Sequence, residues 1–131
     1  MTSYSYTEAT GLVPDFRVSY HLLSYEEGGR KNPPFQHIRW DFSYADEQIG
    51  KPNQVFIIWP EFVSDSGQVL PEGEPMPQQG LADMFIVNPA FRAFHGQHIK
   101  VGVRGYFREG PHKTALCEVI EILALHQNPR S

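Results

Sequence analysis

Apolar and polar residues alternate one for one along several stretches of this chain, a period of two that a β-strand buries on one face and wets on the other. In residues 16–23, Phe16, Val18, Tyr20 and Leu22 form one set and Arg17, Ser19 and His21 the other. Residues 38–44 repeat the pattern, with Ile38, Trp40, Phe42 and Tyr44 against Arg39, Asp41 and Ser43. In residues 99–107, Ile99, Val101, Val103 and Phe107 are expected to face inward, with Lys100, Gly102, Arg104 and Tyr106 opposite. Two continuous apolar runs read as short buried strands: residues 55–59, closed by Pro60, and residues 84–87, stopped by Asn88-Pro89. Pro71, Pro75 and Pro77 forbid a helix in residues 64–80 and most internal strand positions there.

Thr114–Leu125 stays open between helix and strand. Its propensity allows a helix. Its position after a Gly-Pro turn suits a hairpin partner of the preceding strand, with a bulge near Glu118–Glu121 absorbing a slip in the pattern. Glycine and proline together make 22 of the 131 residues, so short elements joined by turns are expected. The sum is six or seven short strands and an all-β barrel or sandwich. The length corresponds to one domain, assigned to residues 14–126, with a flexible arm at 1–13 and a tail at 127–131.

A formal charge of -4 argues against binding nucleic acid by net charge, although not against a local basic patch. No run approaches the about 18 apolar residues of a membrane span. The first residues lack the basic start and apolar core of a secretory signal, and the lone Cys117 excludes an internal disulfide. A reducing, cytoplasmic setting is the expectation.

Few residues suggest chemistry. His95 and His98 have metal-like spacing but no third ligand, so surface-loop histidines are expected; His112 reads as part of a solvated turn. Cys117, between Leu116 and the apolar residues beyond Glu118, reads as a buried inert thiol. Asp41, Glu61, Asp65, Glu72 and Glu74 are candidate paired carboxylates, most of them beside turns where solvated acids are ordinary. Trp40, Trp59 and Tyr44 are candidates for a stacking platform, and at alternating positions they read first as core. No metal and no cofactor is expected.

Three collinear blocks carry a resemblance to a known family. Residues 24–35 read SYEEGGRKNPPF and lead into Arg39-Trp-Asp-Phe42. Leu70-Pro-Glu-Gly73 precedes Met76-Pro77 and a strand over residues 83–87 with Asn88-Pro89. Arg108-Glu-Gly110 and Lys113-Thr114 precede the last element. Together they resemble the C-terminal β-barrel, the third domain, of elongation factor Tu, over about residues 15–125. The resemblance implies a small closed antiparallel barrel. There are departures: no G-x-x-x-x-G-K-[ST] phosphate loop occurs, residues 45–69 are longer than the family hairpin, Lys31 replaces a histidine, and Ala115-Leu-Cys-Glu118 replaces a glycine-rich strand.

What the resemblance implies is a binding module without GTPase activity. Carried over by position, contacts to a protein partner, or weakly to an RNA such as tRNA, fall on Gly29, Arg30 and Lys31 and on the turn from Arg108 to Lys113; by residue type, Arg30, Lys31, Arg39, Arg108 and Lys113 are the cations able to hold phosphates. Two other readings stand beside it. One is a barrel enclosing an apolar small molecule, with the Pro-rich residues 70–80 as a lid. The other is a homo-oligomer packed through Val55–Val63.

Overall fold

The alternation over residues 16–22 produces a strand, β1 (Phe16–Leu22), that lies in the middle of the sheet, hydrogen-bonded on both sides. The structure, a computed structural model, describes residues 5–129. Five further strands are β2 (Asp41–Tyr44), β3 (Ile58–Val63), β4 (Gln79–Ile86), β5 (Arg104–Glu109) and β6 (His112–Ile122). All pairings are antiparallel, in the order β2-β5-β6-β1-β4-β3. The sheet curls into a half-barrel. Phe56, two residues before β3, forms an isolated bridge with Phe42 of β2, the pair exchanging backbone hydrogen bonds of 2.9 and 2.8 Å.

Thr114–Leu125 is strand as far as Ile122, the hairpin alternative. Its slip has a definite cause. Arg17 pairs with Glu121 but Val18 pairs with Val119, so Ile120 is an extra, bulged residue and is partly exposed. A second bulge lies in the β5–β6 pair. Phe107 pairs with Ala115 and Arg108 with Lys113, leaving Thr114 over, and the Thr114 hydroxyl donates to the Phe107 carbonyl at 3.1 Å.

Aromatic rings fill the concave side. Tyr20 lies 5.1 Å from Phe62, Trp40 5.8 Å from Phe107 and Phe16 6.2 Å from Phe42, centroid to centroid. Gly105 allows the Phe42 ring to lie against the backbone of β5, since a Cβ there would collide with it and with the Ser43 carbonyl. Each strand contributes every second residue to this core, which is why the alternating sequence was so informative.

Several expectations are corrected. Residues 99–103 are not strand. Ile99 is buried, but the chain turns at Gly102 (φ 96°) and leaves Val101 65% exposed. The apolar run at 55–59 is not uniformly buried: Val55 and Ile57 face out, Phe56 and Ile58 in, and the strand continues through Pro60 to Val63. Proline is tolerated there because β3 is an edge strand. Within the segment read as a flexible arm, Tyr6–Thr10 forms a helical turn, α1, capped by the Ser5 side chain, and the Tyr6 ring is fully buried against Trp59 and Phe85. The segment holding His95 and His98, read as a loop, is a helix, α2 (Arg92–His98), preceded by a 3-10 turn at Pro89–Phe91. Residues 1–4 of the arm and 130–131 of the tail lie outside the described residues. Among the described residues no helix is long and apolar enough to cross a membrane.

The outer edge of β3 is covered by the backbone at Val69–Leu70, whose Leu70 N–H donates to the Phe62 carbonyl at 3.0 Å, and by one side chain. The Gln36 amide donates to the carbonyls of Phe62 (2.7 Å) and Leu70 (3.0 Å), and its oxygen accepts from the Phe62 N–H at 2.9 Å. It therefore acts as a short substitute strand. Truncation to Gln36→Ala leaves a buried N–H unpaired and is expected to cost about 2 kcal/mol in urea unfolding. A loss within experimental error would mean that the edge is satisfied without Gln36.

Candidate functional site

The loop after β1 is built by its own hydrogen bonds. The Ser24 N–H donates to the Glu27 carboxylate at 2.8 Å, and the Glu27 N–H donates back to the Ser24 hydroxyl at 3.2 Å. Hydrogen bonding to the carboxyl from the Ser24 backbone first, and then from its side chain, holds Glu27 below its usual range. Gly28 takes a φ of 97°. Gly29 donates its N–H to the Ser24 carbonyl at 2.8 Å, and a Cβ on it would strike the Leu23 carbonyl, so its role is to let the backbone close on itself.

This loop contributes Tyr25, Arg30, Lys31, Pro33 and Pro34 to a groove of about 350 Å³ that is also lined by Leu22, Trp40 and Thr114. Tyr25 is 68% exposed. Arg30 is drawn toward Glu109, 3.3 Å away, and the same carboxylate oxygen accepts the Trp40 indole N–H at 3.1 Å. Lys31 is exposed at the rim.

The other three cations lie elsewhere. The Arg39 guanidinium stacks on Trp59, 4.5 Å from the ring centroid. Arg108 and Lys113 line a second cleft of about 470 Å³, beside the loop that follows β2. Arg108 is buried, donating to Ser43 Oγ at 3.2 Å and to the Pro111 carbonyl at 3.1 Å. The Lys113 ammonium sits 4.2 Å from the centroid of the Tyr106 ring. The six expected contact residues therefore divide among three locations instead of forming one basic patch.

The aromatic candidates divide as well. Trp40 and Tyr44 are buried in the core, and Trp59 is half-buried beneath Arg39. Cys117 is buried, and burial pushes its thiol well above the ordinary range. His95 is buried and shares a 2.7 Å hydrogen bond with the Tyr44 hydroxyl, while the His98 ring packs 4.6 Å from Phe94. Among the described residues no three metal-ligating side chains converge.

Of the five carboxylates, Glu61 and Glu72 come together on a residue that sequence reasoning missed. His37 shares a 2.7 Å hydrogen bond with Glu61, and its other ring nitrogen lies 3.5 Å from Glu72. Glu61 is itself buried and accepts the Tyr6 N–H at 2.8 Å. His37 adopts a φ of 70°, unusual for a residue other than glycine and more readily reached by His, Asn and Asp than by most. Asp65 and Glu74 are exposed, and burial raises the Asp41 carboxyl. No sequence signal joins positions 37, 61 and 72, because two separate loops and a strand bring them together.

No protein-family model matches the chain, and comparison with curated proteins finds no match.

Proposed function

We propose that this chain is a non-enzymatic binding module, of the kind represented by the third domain of elongation factor Tu, and that it holds a protein partner in the groove at residues 22–34. The observation that carries this reading is the groove itself. A loop tied by its own hydrogen bonds carries exposed Tyr25 and Pro33, with Pro34 and Trp40 buried in the same groove and one arginine and one lysine among its lining. Aromatic residues and arginine are the types enriched where proteins meet. The fixed turn at Ser24–Gly29 lowers the ordering cost of binding.

Two facts favour a protein over an RNA. Arg30 is engaged by Glu109, and Arg39, Arg108 and Lys113 make internal contacts away from the groove. Lys31 is left as the exposed cation at its rim. A ring-filled concave face also supports surface contact over an enclosed apolar ligand. The self-association reading is reduced to two exposed side chains in its run, Val55 and Ile57.

The test compares partner recovery by the wild type, Tyr25→Ala and the double variant Arg30→Glu with Lys31→Glu. The Arg30–Glu109 pair is exposed enough that its loss leaves the fold intact. A partner recovered by the wild type should bind about 30-fold more weakly to Tyr25→Ala, the effect of removing an interface anchor. Equal recovery by all three forms overturns the groove. Binding of tRNA that falls steeply with salt and is lost in the double variant would replace the protein with RNA.

A further inference from the structure

Arg108 is a buried cation that makes no ion pair among the described residues, although Asp41 stands opposite it on β2. Strand β5 turns it to the outer face, in register with Asp41 on β2 and Lys113 on β6, and it is only 7% exposed. Its Nη1 and Nη2 donate to neutral groups, the Ser43 hydroxyl and the Pro111 carbonyl. Its Nε–H, also buried, has no partner among the described residues. No carboxylate comes within ion-pair distance of it among the described residues. Arg92, the other buried arginine among the described residues, is instead paired with Asp15 at 2.7 Å.

Removing a guanidinium from water is unfavourable unless an anion or a full set of acceptors replaces the solvent. Here the acceptors are incomplete and neutral. Lys113 opens onto the same cleft, held over Tyr106 with the Ser43 hydroxyl nearby in the wall. Two cations and a hydroxyl on neighbouring strands form a donor set for an oxyanion.

We propose that this cleft binds the single anionic group, carboxylate or phosphate, of a small molecule, with Arg108 as the buried charge and Lys113 at the mouth. Asp46 and Glu47 line the same cleft. They repel a second negative charge, so a nucleic-acid backbone or another polyanion is excluded and the rest of the ligand is neutral or cationic. Lys51, on the same loop, tempers that repulsion without removing it. The cleft shares no lining residue with the groove at residues 22–34, and the two sites stand or fall separately.

Thermal unfolding in sodium phosphate, sodium acetate and sodium chloride at matched ionic strength tests the site. One of the two oxyanions should raise the melting temperature saturably above the chloride series, because binding to the native state alone adds to its stability. A larger response to phosphate identifies a phosphate ester, and a larger response to acetate identifies a carboxylate. Lys113→Gln, at an exposed position, should weaken the response about tenfold, the loss of one charge-assisted bond. Arg104→Gln, an exposed cation paired with Glu118 outside the cleft, should leave it unchanged. No response to either oxyanion up to about 100 mM, or an identical response in Lys113→Gln, overturns the proposal.

Discussion

Arg92→Ala is expected to destabilise the protein by about 3–5 kcal/mol, because it strands a carboxylate with no access to water. Asp15 is fully buried and accepts from Arg92 Nη1 at 2.7 Å and Nη2 at 3.0 Å, from Asn128 Nδ2 at 2.7 Å and from the Ile86 N–H at 2.7 Å. Arg92 Nη2 also donates to the Ile86 carbonyl at 2.9 Å. Asn128 reaches the Val13 carbonyl at 2.8 Å. One carboxylate therefore fastens the entry to β1, the end of β4, α2 and the C-terminal segment to one another. Against a typical stability of about 5–15 kcal/mol, the loss is large enough to leave some of the chain unfolded at room temperature. The measurement is a double-mutant cycle of Arg92→Ala and Asp15→Ala by urea unfolding. A double variant that loses less than the sum of the singles, by about 2 kcal/mol or more, matches a pair stabilised by mutual contact. Additive losses would mean that each side chain acts through its other neighbours.

Which parts of this arrangement the sequence made legible depended on the range of the interaction. Strand β1 and the β5–β6 hairpin were readable because alternation and a Gly-Pro turn are local signals, and the bulge at Ile120 left a local slip in the pattern. Helix α2 was missed: Asn88-Pro89 starts only the 3-10 turn, where the Asn88 side chain accepts the Ala90 N–H at 3.0 Å, and the helix, which continues from that turn, has no side-chain cap at Phe91 to signal it. Residues 99–103 misled because Val101 and Val103 preserve the alternation across a turn that Gly102 makes. The Asp15–Arg92 pair spans 77 positions, and the Glu61–His37 contact spans 24. Pairs so distant have no period or spacing in one sequence, only a shared location once the sheet has curled. The loop at residues 24–34 was legible as a turn-rich segment. The groove beside it depended on Trp40, just before β2, and Thr114 of β6, which lie far from it in sequence.

Acid should weaken this fold through His95 well before the carboxylates take over. Helix α2 lays the imidazole against Tyr44 and against Phe56, whose ring centroid is 4.7 Å away. Burial, followed by the neighbouring His98 and Arg92, pushes His95 from an ordinary 6.5 down to about 4. Folded and unfolded forms are both neutral there above pH 7, so this group makes stability independent of pH in that range. As pH falls below 6.5 the unfolded chain takes up a proton that the folded chain refuses. Stability drops with each step until the native imidazole protonates near 4, where the decline from this source ends. The interval corresponds to a loss of about 3 kcal/mol. His95→Gln keeps a hydrogen-bonding group beside the Tyr44 hydroxyl but cannot titrate. Its own stability at pH 7 should be lower than that of the wild type, and its decline between pH 7 and 4 should be smaller by about 3 kcal/mol. Carboxylate titration is common to both proteins and cancels in the comparison. Denaturant unfolding at several pH values measures the difference, and parallel curves for the two proteins would mean that His95 does not resist protonation in the native state.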